Sequence, residues 1–196
     1  MKNRAEFFFD FRSPYSYLAY SQLADLDAEV VLRPMNVLTV MSAVGNTPTT
    51  ITCAAKGVYA RADLARWSQR YGLPIKPGDM RAIDAEACLR AVLAAPSAKS
   101  AALTTEALFR ASWGQGQTLS MRAMIVDVIA EAGVDTEGLA GRIDDQLVVD
   151  ALAENCREAG ARGIFGAPTI MIGDAMFFGN DRLEFVREHL SLETAA

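Results

Sequence analysis

Residues 7–20, FFFDFRSPYSYLAY, read as a short apolar strand, a polar break and a helix that opens on Ser13-Pro14. Phe7, Phe8 and Phe9 are too few and too aromatic for a helix and suit a strand buried on both faces. Ser13 is a good N-cap residue, and Pro14 stands at the first helical position, where its missing N–H costs nothing. A serine there lies among free backbone amides at the positive end of a helix, surroundings that favour an anion such as a thiolate, carboxylate or phosphate. Two readings of Ser13 stand at this point: a cap and nothing more, or a cap that also serves an anion.

Working outward, Pro14 to about Asp27 is expected to be helical, with Tyr17, Leu18, Leu23 and Leu26 facing inward. Ala28–Arg33 is expected to be a second strand ended by Pro34. Strand, helix and strand in this order imply parallel strands and a right-handed crossover. From about Leu38 to Gly160 no convincing strand appears. Helical segments follow one another instead: Arg61–Tyr71 stopped by Gly72, Asp84–Ala95, Ser97–Trp113, Ser120–Ala132, Thr136–Arg142 and Asp144–Ala159. The α/β pattern resumes at Gly166-Ala167-Pro168-Thr169, with strands Thr169–Gly173 and Ala175–Phe178 as a hairpin. Gly179-Asn180-Asp181 then caps a closing helix, Arg182–Leu190. This order predicts an α/β, thioredoxin-like fold with a large all-helical insertion after its second strand. The domain limits expected are 1–37 plus 144–196 for the discontinuous thioredoxin-like part and 38–143 for the insertion. In such a fold the helix after the first strand carries the reactive group and a proline loop before the third strand faces it, which pairs Ser13 with Pro168.

Composition narrows the partners. The 196 residues carry a net charge of −5, and the 19 Lys and Arg are scattered, which argues against nucleic acid and for a small partner. No apolar run approaches the roughly 20 residues that span a bilayer, and the N-terminal MKNRAEFFFDF lacks a small-residue cleavage site, so a cytoplasmic protein is expected. Cys53, Cys88 and Cys156 are far apart and odd in number, suggesting neither a disulfide framework nor a zinc site. His189 is the only histidine and lies in the last helix, so Ser-His-Asp and Cys-His chemistries lack a nearby base.

Several stretches together resemble the 2-hydroxychromene-2-carboxylate isomerases, a family related to the kappa-class glutathione transferases and to DsbA-type oxidoreductases. They are FDFRSPYSYLA (Phe9–Ala19), RPM (Arg33–Met35), GN (Gly45-Asn46), the Lys56–Trp67 stretch with Tyr59, Asp63, Leu64 and Arg66, FRASW (Phe109–Trp113), and RGIFGAPTIMIGDAMFFGNDRLEFV (Arg162–Val186). Asn36, Thr39 and the segment Pro74–Cys88 depart from the pattern, in the part expected to wall the second substrate.

The resemblance implies glutathione as cofactor, with Ser13 as the catalytic residue that holds its sulfur as thiolate. It further implies pairing of the tripeptide with the backbone at Ala167 beside a cis Pro168, the γ-glutamyl end at Asn180 and Asp181, and contacts from Asn46 and Lys56. Taken alone, Asn180 and Asp181 are competent caps, Asn46 a turn residue, Lys56 a solvated charge, and Asp63 with Arg66 an intrahelical ion pair. For the substrate, a small aromatic keto acid, Tyr15, Tyr17 and Arg33 are candidates, with packing and strand-end structural roles as the alternatives. A homodimer is implied as well. Ser13 and Ser16 stand where DsbA-like proteins have C-x-x-C, so dithiol exchange is excluded at that site. Three functions follow: a glutathione-dependent isomerase, a kappa-like transferase, or a redox-inactive binding or chaperone-like protein on the same scaffold.

Overall fold

A computed structural model describes residues 3–194; Met1 and Lys2, which begin the basic N-terminal stretch, lie outside them. The first strand, β1 (Asn3–Phe9), is central in a four-stranded mixed sheet of order β2-β1-β3-β4. It runs parallel to β2 (Ala28–Pro34) and antiparallel to β3 (Thr169–Ile172), which pairs antiparallel with β4 (Ala175–Phe178). Phe7, Phe8 and Phe9 are fully buried, each removal from water being worth up to about 3 kcal/mol. Their alternation uses both faces. Phe7 stacks on Phe9 with centroids 5.2 Å apart, and Phe9 meets Phe109 at 5.6 Å. Phe8 points the other way, beneath the guanidinium groups of Arg33 and Arg162 at 5.7 and 5.8 Å.

Helix α1 (Pro14–Tyr20) is shorter than its apolar pattern suggests. Ser21 turns its hydroxyl back to the Leu18 carbonyl at 2.8 Å, and the chain tightens into a 3-10 turn, Leu23–Asp25. Tyr17, Leu18, Leu23 and Leu26 are all buried, as their spacing predicts. β2 ends at Pro34, as expected, with the proline itself paired in register opposite Phe9; β2 is an edge strand and tolerates a residue without an N–H.

The middle of the chain is helical, with no strand among the described residues between Leu38 and Gly160. Helix α2 (Val37–Ala43) is absent from the sequence-based expectation; the Asn36 side chain caps it, accepting from the Thr39 amide at 3.3 Å. After a short turn, α3 (Thr49–Thr52), comes α4 (Ala54–Tyr71), which starts seven residues before the expected Arg61 and ends at Gly72 in the left-handed conformation (φ 62°). Then follow α5 (Ala85–Leu93), capped by Asp84, and α6 (Ala98–Phe109), capped by Ser97. A π-helical turn, Arg110–Gly114, extends α6. Helices α7 (Arg122–Glu131), α8 (Leu139–Arg142) and α9 (Gln146–Ala161) lead back to the sheet, and a 3-10 turn, Asn180–Arg182, opens α10 (Leu183–Thr194). Helix α9 covers the Phe8 face, where its Glu158 meets Arg33. Helix α1 covers the Phe7 and Phe9 face, with Tyr20 against Phe7, and α10 packs on β1 and β4.

Candidate active site at the start of α1

The site is built where β1 hands over to α1. Asp10 is completely buried at the end of the strand, and its carboxylate accepts from the Arg12 amide (2.8 Å), Arg12 Nε (3.0 Å) and the Val37 amide (2.8 Å). Arg12 also donates to Asn36 Oδ1 at 2.7 Å, so one ion pair ties the starts of α1 and α2 together. Burial alone would lower the Arg12 guanidinium, but the bonded Asp10 outweighs it and raises it. On this base Ser13 caps α1, its Oγ accepting from the Ser16 amide at 3.1 Å. The same hydroxyl donates to the Ala167 carbonyl at 3.0 Å.

The facing loop carries a cis Ala167-Pro168 bond. Thr169 Oγ1 closes the loop onto the Gly166 carbonyl at 2.9 Å, and the Gly179 amide donates to the Pro168 carbonyl at 2.9 Å. That last bond fixes Asn180 and Asp181 beside the proline loop. Asn180 is 3% exposed, and its Nδ2 has no hydrogen-bond partner among the described residues. Asp181 is exposed and pairs with its neighbour Arg182 at 2.6 Å. Asn46 donates to the Phe165 carbonyl at 2.7 Å, joining the α2–α3 loop to the same segment.

Helix α4 leans over this group. The Tyr15 hydroxyl donates to Asp63 Oδ2 at 3.1 Å, and the Tyr71 hydroxyl to the Asn180 carbonyl at 3.3 Å. Burial, the bond to Asp63 and the charge of Asp181 all hold the Tyr15 phenol well above its ordinary value, so it remains a protonated donor at physiological pH. Trp67, Tyr71, Asn180 and Asp181 border a recess of about 400 Å³ between α4 and α10.

The sequence-predicted residues thus divide. Ser13, Ala167 and Pro168 meet directly, with Asn180, Asp181 and Asn46 attached to the same loop. Lys56 is exposed and bonds Thr49 Oγ1 at 3.1 Å, with no contact to Ser13 or the proline loop. Tyr17 is buried with its hydroxyl against Gly114. Arg33 corrects the expectation of a substrate-carboxylate holder: its guanidinium is occupied by Glu6 (3.0 Å), Glu158 and Asn155 (3.2 Å) on the α9 face of the sheet. Asp63 is more than half of an ion pair, since it lies 3.8 Å from Arg66 but also accepts from Tyr15. Asp10, Arg12 and Tyr71 escaped the sequence-based reading; an aspartate two residues before an arginine at a strand end was the available signal for the first two.

No sulfur stands at this helix start. Cys53, Cys88 and Cys156 are all free, and burial raises the thiols of Cys88 and Cys156. No group of His, Cys, Asp and Glu among the described residues suits a metal ion, and no described helix is long and apolar enough to cross a membrane.

Mixed sheet, capped helix and facing cis-proline define a thioredoxin-fold protein with serine in place of the redox thiols. A family model described as a DSBA-like thioredoxin domain matches residues 4–191. The chain is 30% identical over 184 residues to the 2-hydroxychromene-2-carboxylate isomerase of Pseudomonas putida, covering 91% of this chain and 89% of that one. A solved structure of a 2-hydroxychromene-2-carboxylate isomerase superposes with a TM-score of 0.88 at 26% identity, over 97% of this chain and 96% of the other. Glutathione S-transferase kappa 2 of Caenorhabditis elegans is 26% identical over 211 residues, covering 97% and 94% of the two chains. The chain therefore belongs to the DSBA-like thioredoxin-domain family and, within it, to that of the 2-hydroxychromene-2-carboxylate isomerases.

Proposed function

We propose that this protein is a glutathione-dependent isomerase that interconverts 2-hydroxychromene-2-carboxylate and trans-o-hydroxybenzylidenepyruvate, or a related aromatic electrophile. The observation that carries the reading is Ser13 facing the Ala167-Pro168 loop, with the buried Asn180 donor and the Asp181 carboxylate attached to that loop. The residues fit the tripeptide. A buried donor without an acceptor costs roughly 1–3 kcal/mol, and the γ-glutamyl carboxylate is an acceptor for Asn180 Nδ2. Asp181 offers its carboxylate to the γ-glutamyl ammonium in exchange for its exposed pairing with Arg182.

Glutathione, when bound, supplies a thiolate that adds to the conjugated C=C bond, permits rotation about it and leaves again, so thiol is not consumed. The chain's own task is to keep that sulfur anionic and the substrate in place. Ser13 has one proton to give; turning it from the Ala167 carbonyl to a sulfur leaves the cap bond from Ser16 intact, because that bond uses the Oγ lone pair. Tyr15, whose one proton is given to Asp63, presents its phenol oxygen as an acceptor for the substrate's phenol hydroxyl. Asn46 and Lys56, the latter in the first turn of α4, are assigned to the peptide and the glycine carboxylate of the tripeptide.

Kinship with kappa-class glutathione transferases favours a second reading, in which the same site releases a stable conjugate. Thiol balance decides between them. The test is titration of the purified protein with glutathione, followed by incubation with trans-o-hydroxybenzylidenepyruvate while free thiol is counted. Saturable binding and isomer exchange at constant thiol support the isomerase. Stoichiometric thiol loss supports the transferase, and no binding at millimolar glutathione rejects both.

A further inference from the structure

A cleft that the Ser13 site leaves unused runs between α1, β2 and α6, with a volume of about 730 Å³. That volume lies within the roughly 300–1,000 Å³ typical of small-molecule pockets. Its walls are apolar, set by Leu23, Leu32, Leu73, Ala101 and Phe109 and by the rings of Tyr17 and Tyr20. None of Ser13, Pro168, Asn180 or Asp181 borders it.

Two donors converge at one end. Tyr17 is 5% exposed, yet among the described residues its hydroxyl has no hydrogen-bond partner. Arg110, exposed at the mouth, makes no ion pair with any described acid, although its charge is close enough to act on the Tyr17 phenol. At the other end the polar groups differ. The Tyr20 hydroxyl is already given to the Ala102 carbonyl at 2.7 Å, and Glu106 adds negative charge beside it. Glu29 of β2 also borders the cleft, which leaves Tyr17 and Arg110 as the side chains of the lining able to receive an anion.

The π turn builds that end. It sets Gly114 against Tyr17, where an added Cβ would stand only 2.9 Å from the hydroxyl. The carbonyls that leave the helical ladder are used elsewhere: those of Trp113 and Ser112 accept from the Lys76 and Gly78 amides at 2.6 and 2.8 Å. The turn therefore holds Arg110 and Tyr17 together without using either as a partner.

We propose that this cleft is a second binding site, separate from Ser13, for a planar aromatic molecule bearing one oxyanion. The aromatic body lies along Phe109 and the aliphatic wall, and the oxyanion takes the Tyr17 hydroxyl and the Arg110 guanidinium. The inference rests on the cleft alone and stands or falls independently of the glutathione reading.

Calorimetric titration with naphthoate and with uncharged naphthamide tests it. Expected are one naphthoate per chain, binding about tenfold tighter than naphthamide, and loss of that preference in both Arg110→Gln and Tyr17→Phe. Ala102→Trp, a change at an exposed position on the cleft wall, should weaken both compounds. Ser13→Ala and added glutathione should change neither. Absence of binding at millimolar naphthoate overturns the proposal, as does displacement by glutathione. Equal affinity for the two compounds in every variant means adventitious apolar binding only, and also overturns it. So does sedimentation of the wild type as a dimer that Ala102→Trp dissociates, since a second copy then covers the cleft.

Discussion

Ser13 gives its hydroxyl proton to the carbonyl of Ala167, 3.0 Å away and 154 residues along the chain, while its oxygen receives the Ser16 amide. One hydroxyl thereby joins α1 to the cis-proline loop and caps α1. Ser13→Ala removes both bonds. The lost cap should cost about 1 kcal/mol of stability, read by chemical denaturation. The functional loss should be larger. A thiol near its free pKa of ~8.5 is mostly protonated at neutral pH, so without the Ser13 donor the bound sulfur should titrate ~1 unit higher than in wild type. Thiolate absorbance against pH reads this directly. Identical curves for the two proteins would remove Ser13 from the chemistry and leave it a cap.

Asp181 should separate binding from stability. Its one ion pair among the described residues, with Arg182, is exposed, so Asp181→Asn should shift the unfolding free energy by less than about 1 kcal/mol. Loss of a charge-assisted bond to the γ-glutamyl ammonium should weaken glutathione about tenfold or more in calorimetric titration. Unchanged affinity would place the amino end of the tripeptide elsewhere, and the exposed Asp181 would then be a surface charge.

The frame of the fold was legible because its signals are local. Three phenylalanines, the Ser13-Pro14 start and the Gly173 turn each act within a few residues. Helix α2 was missed because Asn36 looked like a departure from an apolar pattern when it is the cap that starts the helix. The first two turns of α4 were missed because that helix buries no residue, and no apolar stripe announced them. At the site, Ser13, Pro168, Asn180 and Asp181 could be placed because each sits at an element boundary. Arg33 could not, since its fate depends on Glu6 and Glu158, which lie at distant points of the chain and meet only when α9 covers the sheet. The same holds for Tyr15, whose partner Asp63 is 48 residues away.

Below Ser13, the Asp10–Arg12 pair should be the costliest polar contact to break. Asp10 has no exposed side-chain surface, and Arg12 is 25% exposed. Arg12→Ala leaves a buried carboxylate with only the backbone amides of residues 12 and 37, and should cost about 3–5 kcal/mol. Adding Asp10→Asn to Arg12→Ala removes the stranded charge and should return part of that loss. Urea denaturation of the two single variants and the double variant gives the comparison. A double variant no more stable than Arg12→Ala would mean that Asp10 is not the source of the cost.

Acid should act through Glu6. Burial pushes its carboxyl upward, but the bond from Arg162 and the charges of Arg33 and Arg162 outweigh burial and hold it below its ordinary 4.5. A carboxyl lowered by folding binds fewer protons in the folded than in the unfolded chain. Its contribution is therefore complete above about pH 4.5 and drains away as pH falls through the lower, folded value. Glu6→Gln should be less stable than wild type at neutral pH and should lose less on acidification, so the two stability curves converge as pH falls through the lowered carboxyl. The measurement is the urea midpoint of both proteins from neutral pH downward. Curves that stay parallel would show that Arg33 and Arg162 hold Glu6 no more tightly than water does.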